Sequence, residues 1–297
     1  MIITNKNILK KTSIIILSHA RKIFQQNNID IIEYITSSIH ELPIALDECK
    51  KNNITHICII GGDGTIHHII NAYMHWNEIH NHSIIFIPIA AGTGNDWNRS
   101  YDGLMEVHML NRRIKNNHIR IQDLMEISYT DGKKYYSNNI VGVGFDSLVA
   151  SDTIRLKPTW GTLTYLITLL KNIFFFTAPD LNLKIDNDKP LIQSFFLIIA
   201  AKGKYFGNKM MVAPLANVND GYIDVLWIDN ISAWTALKSL VALYSGTHLQ
   251  YPYVHHIKAK EIIISSTLHE IPVEAEGELL PILPVAIRVI PQALQFI

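Results

Sequence analysis

Residues 56–76, HICIIGGDGTIHHIINAYMHW, contain the motif from which the architecture of the chain can be predicted. An apolar, β-branched run leads into Gly-Gly-Asp-Gly-Thr. Four residues then recur at the i, i+3, i+4, i+7 spacing of one helix face, namely Ile66, Ile69, Ile70 and Tyr73. Because glycine is costly in ordered structure, the three glycines indicate a turn whose backbone shape other residues do not adopt. The segment therefore predicts a buried strand, a tight turn and a helix.

A glycine-rich turn of this kind directs backbone N–H groups at one point, and the helix that follows adds its own N–H groups and its dipole. The turn therefore predicts an anion site, for which phosphate is the usual ligand. We expect Thr65 to cap the helix through its hydroxyl. Asp63 would repel a phosphate unless a cation lay between them, so it predicts a nucleotide bound with Mg²⁺. The alternative is a structural turn in which Asp63 caps a backbone amide.

A second glycine turn repeats this logic in residues 84–100, IIFIPIAAGTGNDWNRS. An apolar strand ends at Ile89, and the chain then turns through Gly92, Thr93, Gly94, Asn95 and Asp96. Because the carboxyl ends of parallel strands share one edge of a sheet, we expect the two turns to face one crevice. Asp63 and Asp96 would then lie near the same phosphates, and Arg99 is placed to neutralise part of their charge.

The residues around these turns alternate between strand-like and helix-like patterns. A helical pattern covers Glu41 to Lys51. The expected strands, which suit burial on both faces, are Ser13 to Leu17, Ile29 to Ile35, Thr55 to Ile60 and Ser83 to Ile89. This alternation predicts a doubly wound, mostly parallel α/β domain over residues 1–124.

After about Asp123 the pattern becomes β-rich. A turn at Lys184 to Pro190 separates two strand-like runs. Further runs and two interrupting helices are expected at Tyr222 to Ile228, Val254 to Ile264, Ile271 to Ala275, Thr162 to Phe176 and Ser232 to Tyr244. Residues 125–284 are thus predicted to form an antiparallel, β-sandwich-like domain. The final segment, 285–297, contains a strand that is compatible with either domain.

The composition narrows the classes of function. Lys+Arg and Asp+Glu are equal at 26 each, so no overall field favours nucleic acid or an anionic membrane. Two cysteines do not form a disulfide framework, and we expect reduced thiols in an intracellular, cytoplasmic protein. No segment has the roughly 18 continuous apolar residues of a membrane span. The apolar stretch Thr162 to Asp180 indicates either a lipid-facing helix or a helix packed in the second domain.

These motifs resemble those of the catalytic domain that diacylglycerol kinases and sphingosine kinases share, with the bacterial lipid kinases most similar in layout. GGDGT at 61–65 and GTGND at 92–96 carry the resemblance, which extends over nearly the whole chain. Three later segments match in order: NNIVGVGFDSLVA at 138–150, KYFGNKMMVAPLANVNDGYIDV at 204–225, and EAEGEL at 274–279. The resemblance implies an active site in the cleft between the two domains.

The resemblance also implies roles for particular residues. ATP phosphates would be bound by Gly61, Gly62, Gly64, Thr65, Gly92, Thr93 and Asn95. Asp63 and Asp96 would belong to the charged network around ATP and Mg²⁺, and Glu278 would be the general base that deprotonates the lipid hydroxyl. A second, structural Mg²⁺ would bind Asn217, Asp220 and the backbone carbonyl of Tyr222. Asp123 resembles an aspartate on the nucleotide side of the family's site.

Three features depart from the family or extend its pattern. The family's first strand runs into an Asn-Pro-x-x-Gly turn, and we expect Ser18 to Lys22 to replace it, with Arg21 or Lys22 as phosphate-binding charges. His67 and His68 stand where the family carries Asn-Glu. Glu274, Glu276 and Glu278 are expected to alternate along one strand face.

The main hypothesis is an ATP-dependent lipid kinase that phosphorylates a hydroxyl of diacylglycerol or a related lipid at a membrane surface. It would bind the membrane peripherally, and a homodimer is an open expectation. The alternatives are a catalytically impaired regulatory protein on the same scaffold and a kinase of a sphingoid or other lipid alcohol. A kinase of a soluble substrate such as NAD ranks lowest, because the second half resembles lipid kinases.

Overall fold

The computed structural model describes residues 1–5, 11–155, 162–207, 209–266 and 270–297. The chain divides into two compact units. Unit 1 comprises residues 1–122 and 292–297, and unit 2 comprises residues 123–291. The chain passes from one unit to the other inside two long strands, Arg120–Tyr129 (β5) and Val285–Phe296 (β15).

Unit 1 is a parallel sheet with helices between its strands. Its elements are β1 (Ile2–Asn5), α1 (Lys11–Gln26), β2 (Glu33–Thr36), α2 (Leu42–Lys51), β3 (His56–Gly61), α3 (Asp63–His80), β4 (Ile85–Ala90), α4 (Asp96–Arg99) and α5 (Leu110–Asn116). The strand order is β2-β1-β3-β4, and the last residues of β15 pair in parallel with β4. Residues 57–60 of β3 are almost completely buried, as expected for a strand covered on both faces.

The predicted first strand, Ser13 to Leu17, is wrong, because this segment lies in helix α1. Leu17, Ala20 and Phe24 are buried at helical spacing, whereas Ile14 and Ile15 are exposed. The first strand is instead Ile2–Asn5, which pairs with β2 and β3.

The predicted phosphate turn at Ser18 to Lys22 is wrong for the same reason, since these residues form part of α1. Arg21 is paired with Glu33. The segment that follows β1 is 6–10, which lies outside the described residues.

Unit 2 is built from antiparallel strands. Its elements are β5 (Arg120–Tyr129), β6 (Lys134–Ser137), β7 (Ile140–Gly144), α6 (Phe145–Arg155), α7 (Thr162–Phe175), β8 (Asp180–Ile185), β9 (Leu191–Ala201), β10 (Ile223–Asp229), α8 (Ala233–Ser245), β11 (Val254–Ala259), β12 (Glu261–Ser265), β13 (Pro272–Ala275), β14 (Glu278–Ile282) and β15 (Val285–Phe296). The single strand expected at Val254 to Ile264 is two strands, β11 and β12.

Two sheets meet at β9. One runs β14-β13-β7-β9-β10-β11, and the other contains β8, β12 and β15. The first part of β9 pairs with β8, and its last part pairs with β7 and β10. Apolar side chains from both sheets form one core that includes Ile127, Val143, Leu183, Phe195 and Ile262. The predicted combination of a parallel α/β domain and a β-sandwich-like domain is confirmed.

Candidate active site

The first glycine turn leads directly from β3 into α3. Gly62 is the N-cap of the helix, and Asp63 is its first residue. The expectation that Thr65 caps the helix is therefore wrong, because Thr65 lies within the first turn. Its side chain instead covers Gly61, where an added Cβ would lie 2.4 Å from Thr65 Cβ. The helix thus begins with N–H groups that no N-cap side chain covers, which suits an anion.

The second glycine turn lies directly against the first. A Cβ on Gly92 would lie 2.5 Å from Gly62 Cα, and a Cβ on Gly62 would lie 2.9 Å from Gly92 Cα. Asn95 holds the turn in shape, because its Oδ1 accepts from the Gly92 N–H at 3.0 Å and its Nδ2 donates to the Gly92 carbonyl at 2.8 Å. Asn95 itself adopts a left-handed backbone conformation with φ of 53°. Only glycine permits this close approach of the two backbones.

Asp63 joins the two turns through its carboxylate. Its Oδ2 accepts from the Asp96 N–H at 3.1 Å, and its Oδ1 accepts from the Trp97 N–H at 3.1 Å. These contacts correspond to the second of the two sequence-based alternatives, in which Asp63 caps backbone amides. They also place Asp63 beside Asp96, so the two glycine turns do meet at one site. The negative charge of Asp63 therefore has a structural use that does not require a metal ion.

Arg99 offsets the charge of Asp96. Its Nε donates to Asp96 Oδ1 at 3.3 Å, and its Nη2 donates to the Gly94 carbonyl at 2.9 Å. The pair spans i and i+3 on α4, and Asp96 is buried. Gly94 lies between the two acidic side chains, since an added Cβ there would be 3.1 Å from Asp63 Oδ2 and 3.7 Å from Asp96 Oδ2.

The prediction that Glu274, Glu276 and Glu278 alternate along one strand face is wrong. Glu276 and Gly277 form the two-residue turn of a hairpin between β13 and β14, with φ of 57° and 91°. Glu278 is the first residue of β14 and pairs with Ala275 across the hairpin. The turn reverses the chain, which gives each glutamate different surroundings.

Those surroundings distinguish Glu276 and Glu278. Glu276 Oε1 accepts from Ser137 Oγ at 2.7 Å, from the Asn138 N–H at 2.9 Å and from the Asn139 N–H at 2.8 Å. Glu276 therefore fixes the hairpin to the turn that precedes β7. Glu278 is half-buried and directly follows the turn of the hairpin.

Glu274 and Asp146 form a buried pair of carboxyl groups. Glu274 pairs in register with Gly142 of β7, and the Asp146 side chain covers Gly142 so closely that a Cβ there would overlap it. Burial raises the pKa of Asp146 to about 7. Burial first, and then the charge of Asp146, raise the pKa of Glu274 well above its usual value. Burial therefore favours the protonated form of both carboxyl groups.

The sequence pattern did not predict this pair. In the sequence, Asp146 is only one residue of the matching segment 138–150, and Glu274 is one of three neighbouring acidic residues. The signal lies in Gly142, four residues before Asp146, because a strand glycine often marks the close approach of another group.

The residues predicted to bind a structural Mg²⁺ do not fit a metal site. Asp220 Oδ1 and the Tyr222 carbonyl accept from Lys202 Nζ at 3.1 and 2.6 Å. Burial favours a higher pKa for Asp220, but hydrogen bonds from Lys258 and Lys202 outweigh it and lower that pKa. Asn217 Oδ1 accepts from the Asn219 N–H at 3.2 Å. Across the described ranges, no cluster of three or more His, Cys, Asp or Glu side chains could hold a metal ion.

The comparisons with known proteins agree with this architecture. The family model described as the diacylglycerol kinase catalytic domain matches residues 1–127. The model described as the YegS C-terminal NAD kinase beta sandwich-like domain matches residues 139–297, more than half of the chain. The two domains and the paired glycine turns define a kinase of the lipid kinase class. The chain belongs to the diacylglycerol kinase-like lipid kinase family.

Individual relatives are distant. The chain is similar to a diacylglycerol kinase of Mycobacterium tuberculosis, with 22% identity over 91% of this chain and 85% of the relative. It is also similar to a diacylglycerol kinase of Staphylococcus saprophyticus, with 23% identity over 78% of this chain and 73% of the relative. A crystal structure of a diacylglycerol kinase from Bacillus anthracis shares the fold, with a TM-score of 0.70 and 15% identity, over 100% of this chain and 95% of that one.

Proposed function

We propose that the protein is an ATP-dependent lipid kinase, which transfers the γ-phosphoryl group of Mg-ATP to a hydroxyl of diacylglycerol or a related lipid. The observation that carries the proposal is the backbone contact of Gly62 and Gly92 at the start of α3, in a chain that belongs to a lipid kinase family. The missing Cβ atoms let the two turns touch where α3 begins, and no N-cap side chain covers the N–H groups there. Phosphate oxygens are the ligands that suit such N–H groups.

In this proposal the two turns hold the nucleotide. The triphosphate would be bound by Gly61, Gly62, Gly64, Thr65, Gly92, Thr93 and Asn95. Mg²⁺ bound to ATP would supply charge neutralisation for the transferred group. Asp63 keeps the second turn against the first through its hydrogen bonds. Asp96, which is paired with Arg99, contributes a second acidic charge to the second turn.

Glu278 is the proposed general base. Glu274 is buried with a raised pKa, and Glu276 accepts three hydrogen bonds that fix the hairpin. Glu278, half-buried beside them, is the residue to which the family resemblance assigns the base. It would remove the proton of the lipid hydroxyl as the hydroxyl oxygen attacks the γ-phosphorus and ADP leaves.

A lipid substrate is supported by an apolar cavity within unit 2. The cavity has a volume of about 60 Å³ and is lined by apolar side chains of α7, α8 and β9, including Ile173, Phe196 and Leu240. Asp146 also lines it, which places the buried carboxyl pair beside the apolar space. Such a lining suits an apolar group, and the volume matches only a small part of an acyl chain.

Peripheral membrane binding is supported by an apolar surface patch on α7 and α8, which we define as Phe174, Phe175, Trp234, Val241 and Tyr244. All five side chains are exposed, and the rings of Phe174 and Trp234 contact each other with centroids 5.5 Å apart. Aromatic and aliphatic side chains together suit a membrane interface. Among the helices that the structure describes, none is long and apolar enough to cross a membrane.

The test is incubation of the folded protein with labelled ATP, Mg²⁺ and a panel of diacylglycerol, monoacylglycerol, sphingoid bases and polyprenols, with NAD as a soluble acceptor in a separate sample. We expect label in at least one lipid and none in NAD. Label in NAD alone, or in no acceptor, would contradict the proposal.

The regulatory scaffold is less well supported than the sequence suggested. It depended partly on Ser18 to Lys22 as a degenerate phosphate turn, and that segment is helical. His67 is buried within α3, and Asn71 Nδ2 donates to its carbonyl at 2.9 Å. Calorimetric titration with Mg-ATP separates the two candidates, because the kinase must bind the nucleotide and a scaffold without catalysis need not.

A further inference from the structure

Lys202 occupies the centre of the cluster in which the family resemblance implies a metal ion. Its Nζ donates to Asp123 Oδ2 at 2.9 Å, to Asp220 Oδ1 at 3.1 Å and to the Tyr222 carbonyl at 2.6 Å. An ammonium group has three N–H donors, so these three contacts use all of them. The side chain of Lys202 is 0% exposed, a degree of burial that lysine tolerates only when it is paired.

The oxygens around Lys202 are further occupied by other donors. Asp123 Oδ2 also accepts from the Gly221 N–H at 2.7 Å, and Asp220 Oδ1 also accepts from the Tyr222 N–H at 3.2 Å. Mg²⁺ requires oxygens about 2.0–2.1 Å away in near-octahedral geometry. It could take this position only if the ammonium group left.

Basic side chains lie beside the carboxylates of the cluster and offset their negative charge. Lys258 pairs with the second carboxylate oxygen of Asp220. Asp224 is buried, and its Oδ1 lies 2.7 Å from His256 Nε2. Two lysines therefore face three carboxylates, and the third carboxylate also pairs with His256, so side chains of the protein offset most of the negative charge of this cluster.

We propose that Lys202 replaces the structural Mg²⁺ of this family with an internal ammonium group. Lys202 would hold the 217–222 loop against Asp123, and unit 2 would keep this structure without any divalent cation. The proposal is independent of catalysis, since it concerns the folded protein without nucleotide or lipid.

The test is thermal unfolding without nucleotide, in EDTA and in excess MgCl2. We expect the Tm of the wild-type protein to be the same in both. Lys202→Asn removes the ammonium group, leaves Asp123 and Asp220 facing each other, and should lower the Tm in EDTA by on the order of 10 °C. MgCl2 should restore roughly 5 °C in this variant, because the vacated oxygens can then bind the cation. Lys189→Asn, the same change at an exposed turn, should behave as the wild type does.

A wild-type Tm that falls in EDTA would overturn the proposal, as would a folded Lys202→Asn variant whose Tm does not respond to MgCl2. If Lys202→Asn does not fold, Mn²⁺ binding to the wild type and to Asp220→Asn decides the matter by electron paramagnetic resonance. We expect equal Mn²⁺ binding by both proteins. The loss of one bound Mn²⁺ in Asp220→Asn would show that the wild type holds a metal ion there.

Discussion

At the residue scale, the chemistry of unit 2 depends on which carboxyl groups are buried and which are hydrogen-bonded. Glu276 is fixed by three donors, whereas Asp146 and Glu274 lie together over Gly142 with raised pKa values. Asp146 Oδ2 is buried and has no hydrogen-bond partner in the structure. Burial favours the protonated forms of Asp146 and Glu274, so ionisation of either carboxyl group destabilises the folded protein.

Stability should therefore depend on pH through Asp146. Its folded pKa of about 7 exceeds its unfolded value, so the folded state binds more protons between about pH 4 and pH 7. The contribution of Asp146 to stability is therefore greatest below its unfolded pKa and is lost as the pH rises through 7. Asp146→Asn removes this loss, and we expect it to raise the stability relative to the wild type at pH 8 by about 2 kcal/mol, or a few degrees in Tm.

The measurement is Tm against pH for the wild type, for Asp146→Asn and for Asp152→Asn, a control on the same helix. The control curve should run parallel to that of the wild type. A parallel curve for Asp146→Asn as well would show that Asp146 does not titrate in this range.

At the element scale, the proposed nucleotide site of unit 1 depends on the contact between two strand-to-helix turns. We expect Gly92→Ala to push Gly62 away, to lower stability by about 1–3 kcal/mol and to weaken Mg-ATP binding at least tenfold, because the backbone atoms that meet the new Cβ cannot rotate aside. Gly94→Ala is the matched control. Its Cβ would meet side-chain oxygens, the nearest being Asp63 Oδ2 at 3.1 Å, and no backbone atom, so we expect a smaller loss of affinity than in Gly92→Ala.

Calorimetric titration of both variants checks this prediction. Unchanged ATP affinity in a folded Gly92→Ala protein would mean that the contact of the two turns is not part of the nucleotide site.

The elements also show how far the sequence alone could predict the structure. The strands that lead to Gly61 and Gly92 could be predicted because apolar β-branched runs end at glycine turns. The first strand could not be predicted, because only two residues of Ile2–Asn5 are apolar. Ile14 to Leu17 are all apolar, but their neighbours have helical spacing. The pairing of Asp220 with Lys202 could not be predicted either, because nothing in the local sequence distinguishes Lys202 from a surface lysine. Only the pairing of β9 with β10 brings it to the cluster.

At the scale of the whole molecule, the proposed lipid kinase must reach its substrate at a membrane surface. The apolar surface patch on α7 and α8 should supply that contact. Val241 is 77% exposed, and we expect Val241→Lys to reduce co-sedimentation with neutral phosphatidylcholine vesicles several-fold, because a lysine there would have to leave the apolar interface.

Ile79→Lys is the matched control, since Ile79 is 82% exposed on α3 in unit 1. Equal vesicle binding by the wild type and both variants would place the membrane contact elsewhere.

We propose above all that this chain transfers the γ-phosphoryl group of ATP to a lipid, with Glu278 as the general base. The most direct measurement is the rate of label transfer from ATP to the lipid that the panel identifies, for the wild type and for Glu278→Gln, with Mg-ATP affinity measured on the same samples. We predict a rate at least about 100-fold lower in Glu278→Gln with nucleotide affinity retained. An undiminished rate in this variant would contradict the role of Glu278. A folded wild-type protein that binds Mg-ATP and labels no lipid would contradict the function itself.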